Sequence, residues 1–203
     1  MNNTYPMDFE EIVRFHGHLC PGLVLGYRAA KLAAATLDVD RSEDEELVAI
    51  VETDACGVDA VQVLLGCTLG KGNLLFRDYG KHAVTVISRT SNRAIRIAMK
   101  SDALLRTPEQ EALLRKVRSG MASKEDHEEY DAFQGSRVDE LLSLPDGALF
   151  NVTEVMPEVP EKARIFNSVT CHYCGEKVME PRARIQDGQI ACIPCAEVYS
   201  RGW

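Results

Sequence analysis

Hydrophobic and polar positions along the first 160 residues follow patterns typical of both strands and helices. Residues 47–53 form a nearly continuous apolar run, which predicts a strand at the centre of a sheet. Residues 83–89 and 94–99 alternate apolar and polar positions around a Ser-Asn pair, which predicts a hairpin. With two further predicted strands at 74–79 and 149–155, the pattern indicates a sheet of five strands.

Helices are predicted between and after these strands from apolar spacing and from N-terminal signals. An alanine- and leucine-rich segment follows Pro21, a residue that suits the first turn of a helix. Thr107 is a suitable cap for a segment with leucines at helical spacing. The predicted helices cover residues 8–15, 22–37, 58–65, 108–118 and 124–144.

The charge balance narrows the classes of partner. The chain of 203 residues has a net charge of −8, which argues against a surface that binds nucleic acid throughout. Residues 163–203 carry five basic and four acidic side chains, so any binding of a polyanion is expected in this tail. No run approaches the length of a membrane span, and residues 1–9 lack the pattern of a signal peptide. A cytoplasmic protein with no membrane association is therefore expected.

Three side chains that favour transition metals lie close together near the N-terminus, namely His16, His18 and Cys20. A helix that begins at Pro21 would direct its free N–H groups at Cys20 and favour the thiolate. The alternative is that these residues only cap and pack, since cysteine is often a small buried hydrophobe. Cys56 strengthens the chemical interpretation, because it lies between a predicted strand and a predicted helix, where α/β sheets commonly place binding sites.

A glycine-rich loop at residues 69–73 contains Lys71. The loop lacks the first glycine and the hydroxyl residue of a phosphate-binding P-loop, so a tight turn is the favoured interpretation. Lys71 is nevertheless a candidate to supply positive charge near a site.

The tail contains the most specific local signal. Two Cys-x-x-Cys pairs enclose seventeen residues, which fits a structural zinc site and is favoured over a tail with unpaired cysteines. Four thiolates leave no open position, and the ion replaces a core that about forty residues cannot build alone. A hairpin is expected at Asp187-Gly188, and residues 196–199 are expected to form the terminal helix of a treble-clef finger. The predicted zinc ligands are Cys171, Cys174, Cys192 and Cys195.

Three motifs in order carry a resemblance to a known family. They are FHGHLCPG at residues 15–22, TDACGVDAVQ at 53–62 and GKGNL at 70–74. Over about residues 8–155 the chain resembles the FmdE family, which is named after the E chain of formylmethanofuran dehydrogenase and some members of which carry a zinc-finger tail. The resemblance implies an α+β, thioredoxin-like core with a five-stranded mixed sheet flanked by helices and a metal-binding active site. The expected domains are an FmdE-like core at 1–160 and a zinc finger at 161–203.

The family name links some members to a molybdenum enzyme of one-carbon metabolism that interconverts carbon dioxide and a formyl group on methanofuran. The resemblance does not transfer that reaction to this chain, because kinship of fold does not transfer chemistry. Other subunits of a molybdenum or tungsten oxidoreductase are the expected partners, together with a second copy of the chain in a homodimer. Cys67 stands where the family is expected to have threonine, so it is either an extra thiol or inert packing.

The leading hypothesis is a metal-dependent accessory or enzyme domain. Cys20, Cys56 and His18 are the predicted ligands of a transition metal, with zinc favoured, and His16 is the fourth ligand or a general base. Three protein ligands would leave one position for water or substrate.

Supporting roles fall to charged residues near these motifs. Asp54 and Asp59 are candidates to orient a ligating imidazole, and Lys71 to stabilise negative charge on a one-carbon or carboxylate group. The residues predicted to carry the chemistry are His16, His18, Cys20, Cys56, Asp54 and Lys71.

Two alternatives remain open from the sequence. Cys20 and Cys56 can form a redox pair without metal, with pKa values lowered by helix ends, although the core lacks a Cys-x-x-Cys motif. The protein can instead be a non-enzymatic module whose finger contacts another protein. Contact with DNA is less favoured, because Lys177, Arg182 and Arg184 do not form a dense basic cluster.

Overall fold

The structure is a computed structural model that describes residues 7–199. The chain divides into two compact units, Met1–Lys162 and Ala163–Trp203. Each unit has its own sheets and its own packing, and the two are described separately.

The first unit contains a mixed sheet of five strands in the order β2-β1-β3-β4-β5. Strands β1 and β2 are parallel, and all other neighbours are antiparallel. The sequence-based prediction of a five-stranded mixed sheet is confirmed. Strands β1 and β2 are shorter than predicted, because the chain turns away from the sheet after each of them. The strands are β1 (Leu47–Val51), β2 (Leu74–Phe76), β3 (Ala83–Ser88), β4 (Arg93–Met99) and β5 (Phe150–Val155).

Helices cover one face of this sheet, and the unit as a whole has a mixed α+β structure. All five predicted helices form, and a four-residue helix, α6, was not predicted. No helix in residues 7–199 is long and apolar enough to cross a membrane. The helices are α1 (Met7–His16), α2 (Pro21–Leu37), α3 (Gly57–Leu65), α4 (Pro108–Arg118), α5 (Lys124–Ser143) and α6 (Asp146–Leu149).

Strand β1 is buried along its whole length, which explains its unbroken apolar run. Ala49 and Val51 join the main core together with residues of α1 and α2. The alternate residues, Val48 and Ile50, pack in a second cluster that includes Ile87. Because both faces of β1 are covered, a polar residue at any of its positions would need a buried partner.

Helices α2 and α3 make an unusually close contact through glycine. A Cβ atom added to Gly26 would lie 2.2 Å from the carbonyl oxygen of Gly57, and one added to Gly57 would lie 3.0 Å from the Gly26 Cα. Only glycine therefore fits at this crossing. The contact holds the N-terminal ends of the two helices side by side, and so brings together the residues that precede them.

The second unit consists of two hairpins. Strands β6 (Ser168–Thr170) and β7 (Lys177–Met179) form one, and strands β8 (Arg184–Gln186) and β9 (Gln189–Ala191) form the other. The predicted turn at Asp187-Gly188 is confirmed, since these residues have φ values of 51° and 74° and link a two-residue hairpin.

The predicted terminal helix over residues 196–199 is wrong, because these residues are described and are not helical. The amide of Ala196 donates to the Cys192 carbonyl, which makes a single turn. The next amide, that of Glu197, donates instead to the side-chain oxygen of Gln186 at 2.6 Å. The helix therefore loses its second hydrogen bond to a side chain of the neighbouring hairpin.

Candidate metal centre

Cys20 caps the N-terminus of α2 with its thiol. Its backbone is extended, with φ −147° and ψ 160°, and Pro21 occupies the first helical position. The N–H of Leu23 donates to the Cys20 Sγ at 3.4 Å. A thiol thus stands where serine or aspartate usually accepts this bond, at the positive end of the helix.

Cys56 lies beside Cys20 because the two helices approach so closely. It precedes α3, whose Gly57 contacts Gly26 of α2. A Cβ atom added to Gly22 would lie 3.3 Å from the Cys56 Cβ and 4.0 Å from the Cys20 Sγ. The Gly22 backbone therefore forms the floor beneath the two thiols, and a larger residue there would push against them.

His16 completes the group from the last position of α1. Gly17, with φ 92°, ends that helix and turns the chain toward α2. The His16 Nδ1 lies 2.7 Å from the Asp59 Oδ2, and its Nε2 lies 4.0 Å from the Cys20 Sγ. Because a carboxylate only accepts, Nδ1 carries the proton and Nε2 presents a lone pair to the thiol. Gln62 donates to the other oxygen of Asp59 at 3.2 Å and holds it in place.

The three side chains form a donor set suited to a transition metal. One nitrogen of His16 and the sulfurs of Cys20 and Cys56 all lie within 4.8 Å of one another. In a tetrahedral zinc site, ligand bonds of about 2.0–2.3 Å place donor atoms about 3.6–3.8 Å apart. A shift of about 1 Å would therefore bring the three donors to ligand distance. The carboxylate behind the imidazole is the usual outer support of a metal-bound histidine.

The pKa of the Cys56 thiol is raised, first by burial and then by the neighbouring Cys20. The prediction that a helix end lowers the pKa of this thiol is wrong. Among the described residues, no backbone N–H of α3 makes a capping bond to it. Without such a bond, desolvation and a second sulfur outweigh the helix dipole. A bound cation reverses this effect, since metal ligation deprotonates a thiol.

The remaining predicted site residues lie outside the donor group. The His18 ring is exposed, and its centroid lies 4.4 Å from that of His16. Asp54 is exposed at the edge of an open cleft. The Lys71 amine donates to the backbone carbonyls of Ser42 and Glu43, both at 3.1 Å, so it braces a loop. The structure thus brings together His16, Cys20 and Cys56, with Asp59 as the orienting carboxylate.

An open cleft lies beside the donor group. It has a volume of about 830 Å³, including its solvent-filled part, which is within the usual range for small-molecule sites. Its walls come from the ends of β1 and β2 and from the first turns of α3. The cleft is lined by His16, Val51, Thr53, Asp54, Ala55, Cys56, Val58, Asp59, Gln62, Leu69, Leu74 and Phe76.

Comparison with known families decides the relationship of the chain. Residues 15–151 match the family model described as FmdE, molybdenum formylmethanofuran dehydrogenase operon. The chain belongs to the FmdE family. The resemblance inferred from its three motifs is confirmed, and the matched region contains all the residues of the core donor group.

Two relatives place this FmdE-family chain more closely. A crystal structure of an FmdE-like protein of tungsten formylmethanofuran dehydrogenase type, from Syntrophus aciditrophicus, is 25% identical, with a TM-score of 0.61, and the match covers 92% of this chain and 88% of that one. A protein of Archaeoglobus fulgidus described as a probable S-adenosyl-L-methionine-binding protein is 35% identical over 194 residues. That match covers 91% of this chain and 51% of the relative, so this chain spans about half of its length.

The second unit of this FmdE-family chain holds a four-cysteine cluster. The sulfurs of Cys171, Cys174, Cys192 and Cys195 all lie within 4.8 Å of one another, and the cluster is accompanied by a match of residues 164–201 to the prokaryotic dksA/traR C4-type zinc finger. Backbone N–H groups of Cys174 and Cys192 lower the pKa of Cys171 to about 6. The neighbouring thiols of Cys192 and Cys174 raise the pKa of Cys195 to about 12. Close sulfurs without a cation thus repel shared negative charge, which a bound ion would neutralise.

Two features of the site escaped the sequence analysis. Gln62 supports Asp59, and Gly22, Gly26 and Gly57 allow the close helix contact. The spacing of Gly22 and Gly26, one helical turn apart, is the signal that could have revealed the contact. Cys67 is fully buried, and burial raises the pKa of its thiol to about 12, so it is a packing residue.

Proposed function

We propose that the protein is a metal-dependent member of the FmdE family, in which His16, Cys20 and Cys56 hold a zinc ion or a similar transition metal. The single observation that carries this proposal is the position of the His16 ring. One ring nitrogen is bound by Asp59 while the other faces the Cys20 thiol. A histidine that only packed would have no need of a half-buried carboxylate behind it and a thiol in front.

The residues around the ion have separate tasks. Asp59 fixes the tautomer of His16, and Gln62 fixes Asp59. When bound by three protein ligands, zinc supplies a Lewis-acid centre with one position open toward the cleft. His18 is exposed beside His16 and is placed to move a proton at the cleft. The four cysteines of the tail hold a second, structural zinc.

The biochemical setting we propose is one-carbon metabolism. The family description refers to an operon of molybdenum formylmethanofuran dehydrogenase, and the Syntrophus relative is described as similar to FmdE of the tungsten enzyme. We propose that this chain works beside other subunits of such an oxidoreductase. The predicted thioredoxin-like core, treble-clef tail, homodimer and cytoplasmic location belong to the same proposal. Light scattering of the purified chain, alone and with partner subunits, tests its assembly.

A second candidate ligand is S-adenosyl-L-methionine. The Archaeoglobus relative is described by this ligand, and the cleft offers an exposed carboxylate at Asp54 and a ring at Phe76 that is 51% exposed. These groups suit a sulfonium cation and a purine. Calorimetry should show binding of this compound, weakened in Asp54→Asn and unchanged in Asp78→Asn, an exposed carboxylate outside the cleft lining. Absence of binding by the wild-type chain rejects this candidate.

Elemental analysis of anaerobically purified full-length protein tests the main proposal. The wild type is expected to hold about two ions per chain, and a Cys20→Ala/Cys56→Ala variant about one. Cys67→Ala is the matched control, since it removes a cysteine that lies in neither donor group. Two ions in the double variant would reject the core site.

A further inference from the structure

A second cavity lies on the other side of the thiol pair, between the helices and the sheet. Helices α2 and α3 form one wall, and strands β1, β3 and β4 form the opposite wall. It has a volume of about 450 Å³, including its solvent-filled part. Because it lies between two flat layers, it is called here the interlayer slot.

The lining of the interlayer slot is almost wholly apolar. Of its fifteen lining residues within the described chain, two, Thr53 and His82, have side chains with nitrogen or oxygen. His82 is exposed, so the slot opens to solvent at that point. The apolar walls include Leu25, Val84 and Ile97. Such a lining excludes a hydrated ion or a sugar, and it favours a hydrocarbon group.

The slot exists because one helix face carries no large side chains. Gly22, Gly26 and Ala29 of α2 all line it. The two glycines are required by the contact with Cys56 and Gly57, but Ala29 is not part of that contact. A close-packed core would fill such a space with a larger residue at position 29. Ala29 instead remains 8% exposed in a wall of the slot.

The slot begins at the candidate metal centre. Gly22, which lines it, would place an added Cβ 3.8 Å from the Cys56 Sγ and 4.0 Å from the Cys20 Sγ. Gly57 and Val58, which follow Cys56 directly, also line it. A molecule with a polar end at the thiols can therefore extend an apolar end between the helices and the sheet.

We propose that the interlayer slot binds an unbranched alkyl chain of the ligand whose polar end lies at the His16, Cys20 and Cys56 centre. The inference rests on the proposed function for the polar end, and the alkyl site itself depends only on the slot. A thin chain matches a space bounded by two flat layers. The substrate class is therefore a short-chain aliphatic compound with a metal-binding head group.

Calorimetry with n-alkyl hydroxamates and the zinc-loaded full-length chain tests this inference. The hydroxamate group binds zinc, and the chain length is the variable. Affinity is expected to rise about fourfold for each added methylene until the slot is full. In Ala29→Leu, which fills the slot, acetohydroxamate should bind as in the wild type while the gain with chain length is lost. The same substitution at Ala35, an exposed position of α2, is the matched control and should keep the gain.

The two proposals fail in different ways. Absence of acetohydroxamate binding rejects the metal centre but leaves the slot, which is then tested with 1-hexanol by amide chemical shifts at Ala29 and Val84. A flat affinity series, or a gain that persists in Ala29→Leu, overturns the slot. If Ala29→Leu does not fold by circular dichroism, Val84→Phe fills the slot from the sheet. Absence of 1-hexanol shifts in the wild type overturns the inference without any variant.

Discussion

The Nδ1 atom of His16 lies 2.7 Å from the Oδ2 atom of Asp59, although 43 residues separate them in the chain. The bond joins the end of α1 to the first turn of α3. It fixes the ring so that the opposite nitrogen faces the Cys20 thiol. The metal-binding role of His16 therefore depends on a residue that does not itself contact the ion.

Asp59→Asn should weaken metal binding at the core centre about 10- to 100-fold, because the amide no longer fixes the His16 tautomer. Competition with a chromogenic chelator measures this affinity. Asp54→Asn is the control, since Asp54 belongs to the same cleft but makes no hydrogen bond to the ring within the described residues. Equal losses in the two variants would contradict the role assigned to Asp59.

Gly26→Ala should destabilise the first unit and abolish the core metal site together. The added methyl would lie 2.2 Å from the Gly57 carbonyl oxygen, and separating α2 from α3 moves Cys20 away from Cys56. The loss of unfolding free energy is expected at the upper end of about 1–3 kcal/mol. Urea denaturation and metal content measure the two effects.

The control for this variant is Gly135→Ala in α5. A Cβ atom at Gly135 meets nothing within 4 Å, and alanine favours a helix interior over glycine by about 0.5–1 kcal/mol. This control should therefore gain stability and keep its metal. If Gly26→Ala behaves in the same way, the close helix contact does not build the site.

The ion pair of Glu52 and Arg96 should make the protein sensitive to acid. Two hydrogen bonds from Arg96, at 2.6 and 2.8 Å, lower the pKa of Glu52 below its ordinary value of 4.5. The pair therefore stabilises the fold above pH 4.5, and this contribution is lost as pH falls through the lowered pKa.

Glu52→Gln removes that titration, so the difference in unfolding free energy between wild type and variant should shrink as pH falls below 4.5. Urea denaturation at a series of pH values measures it. Arg96→Met should flatten the profile in the same way. A difference that is constant with pH would show that the pair does not contribute through the Glu52 charge.

Mild oxidation separates a metal centre from a redox pair. In the zinc-loaded protein, Cys20 and Cys56 are ligands, so the count of free thiols after denaturation should remain at all seven cysteines. Thiol titration before and after treatment measures the count. A loss of two thiols that disappears in Cys20→Ala, but not in Cys67→Ala, would favour the redox alternative.

Much of the fold could be predicted because local signals agreed with burial. The apolar run at 47–53 corresponds to a strand covered on both faces. Pro21 correctly indicated the start of α2, and Asp187-Gly188 correctly indicated a hairpin. In each case neighbouring residues in the chain determine the structure, so the sequence contains the necessary information.

The site was only partly predictable because it depends on residues far apart in the chain. His16 and His18 are equivalent in the sequence, but the end of α1 directs His16 toward Cys20 and leaves His18 exposed. Lys71 binds carbonyls of a loop 28 and 29 residues away. The raised pKa of Cys56 depends on its burial beside Cys20. None of these relations follows from periodicity or from motif spacing.

Anomalous diffraction at the zinc absorption edge, from crystals of anaerobically purified full-length protein, tests the core metal site most directly. Two peaks per chain are expected. One should lie among the four cysteines of the tail, and the other at ligand distance from the His16 Nε2 and the sulfurs of Cys20 and Cys56. A peak in the tail alone, with a disulfide joining Cys20 and Cys56, would contradict the proposal.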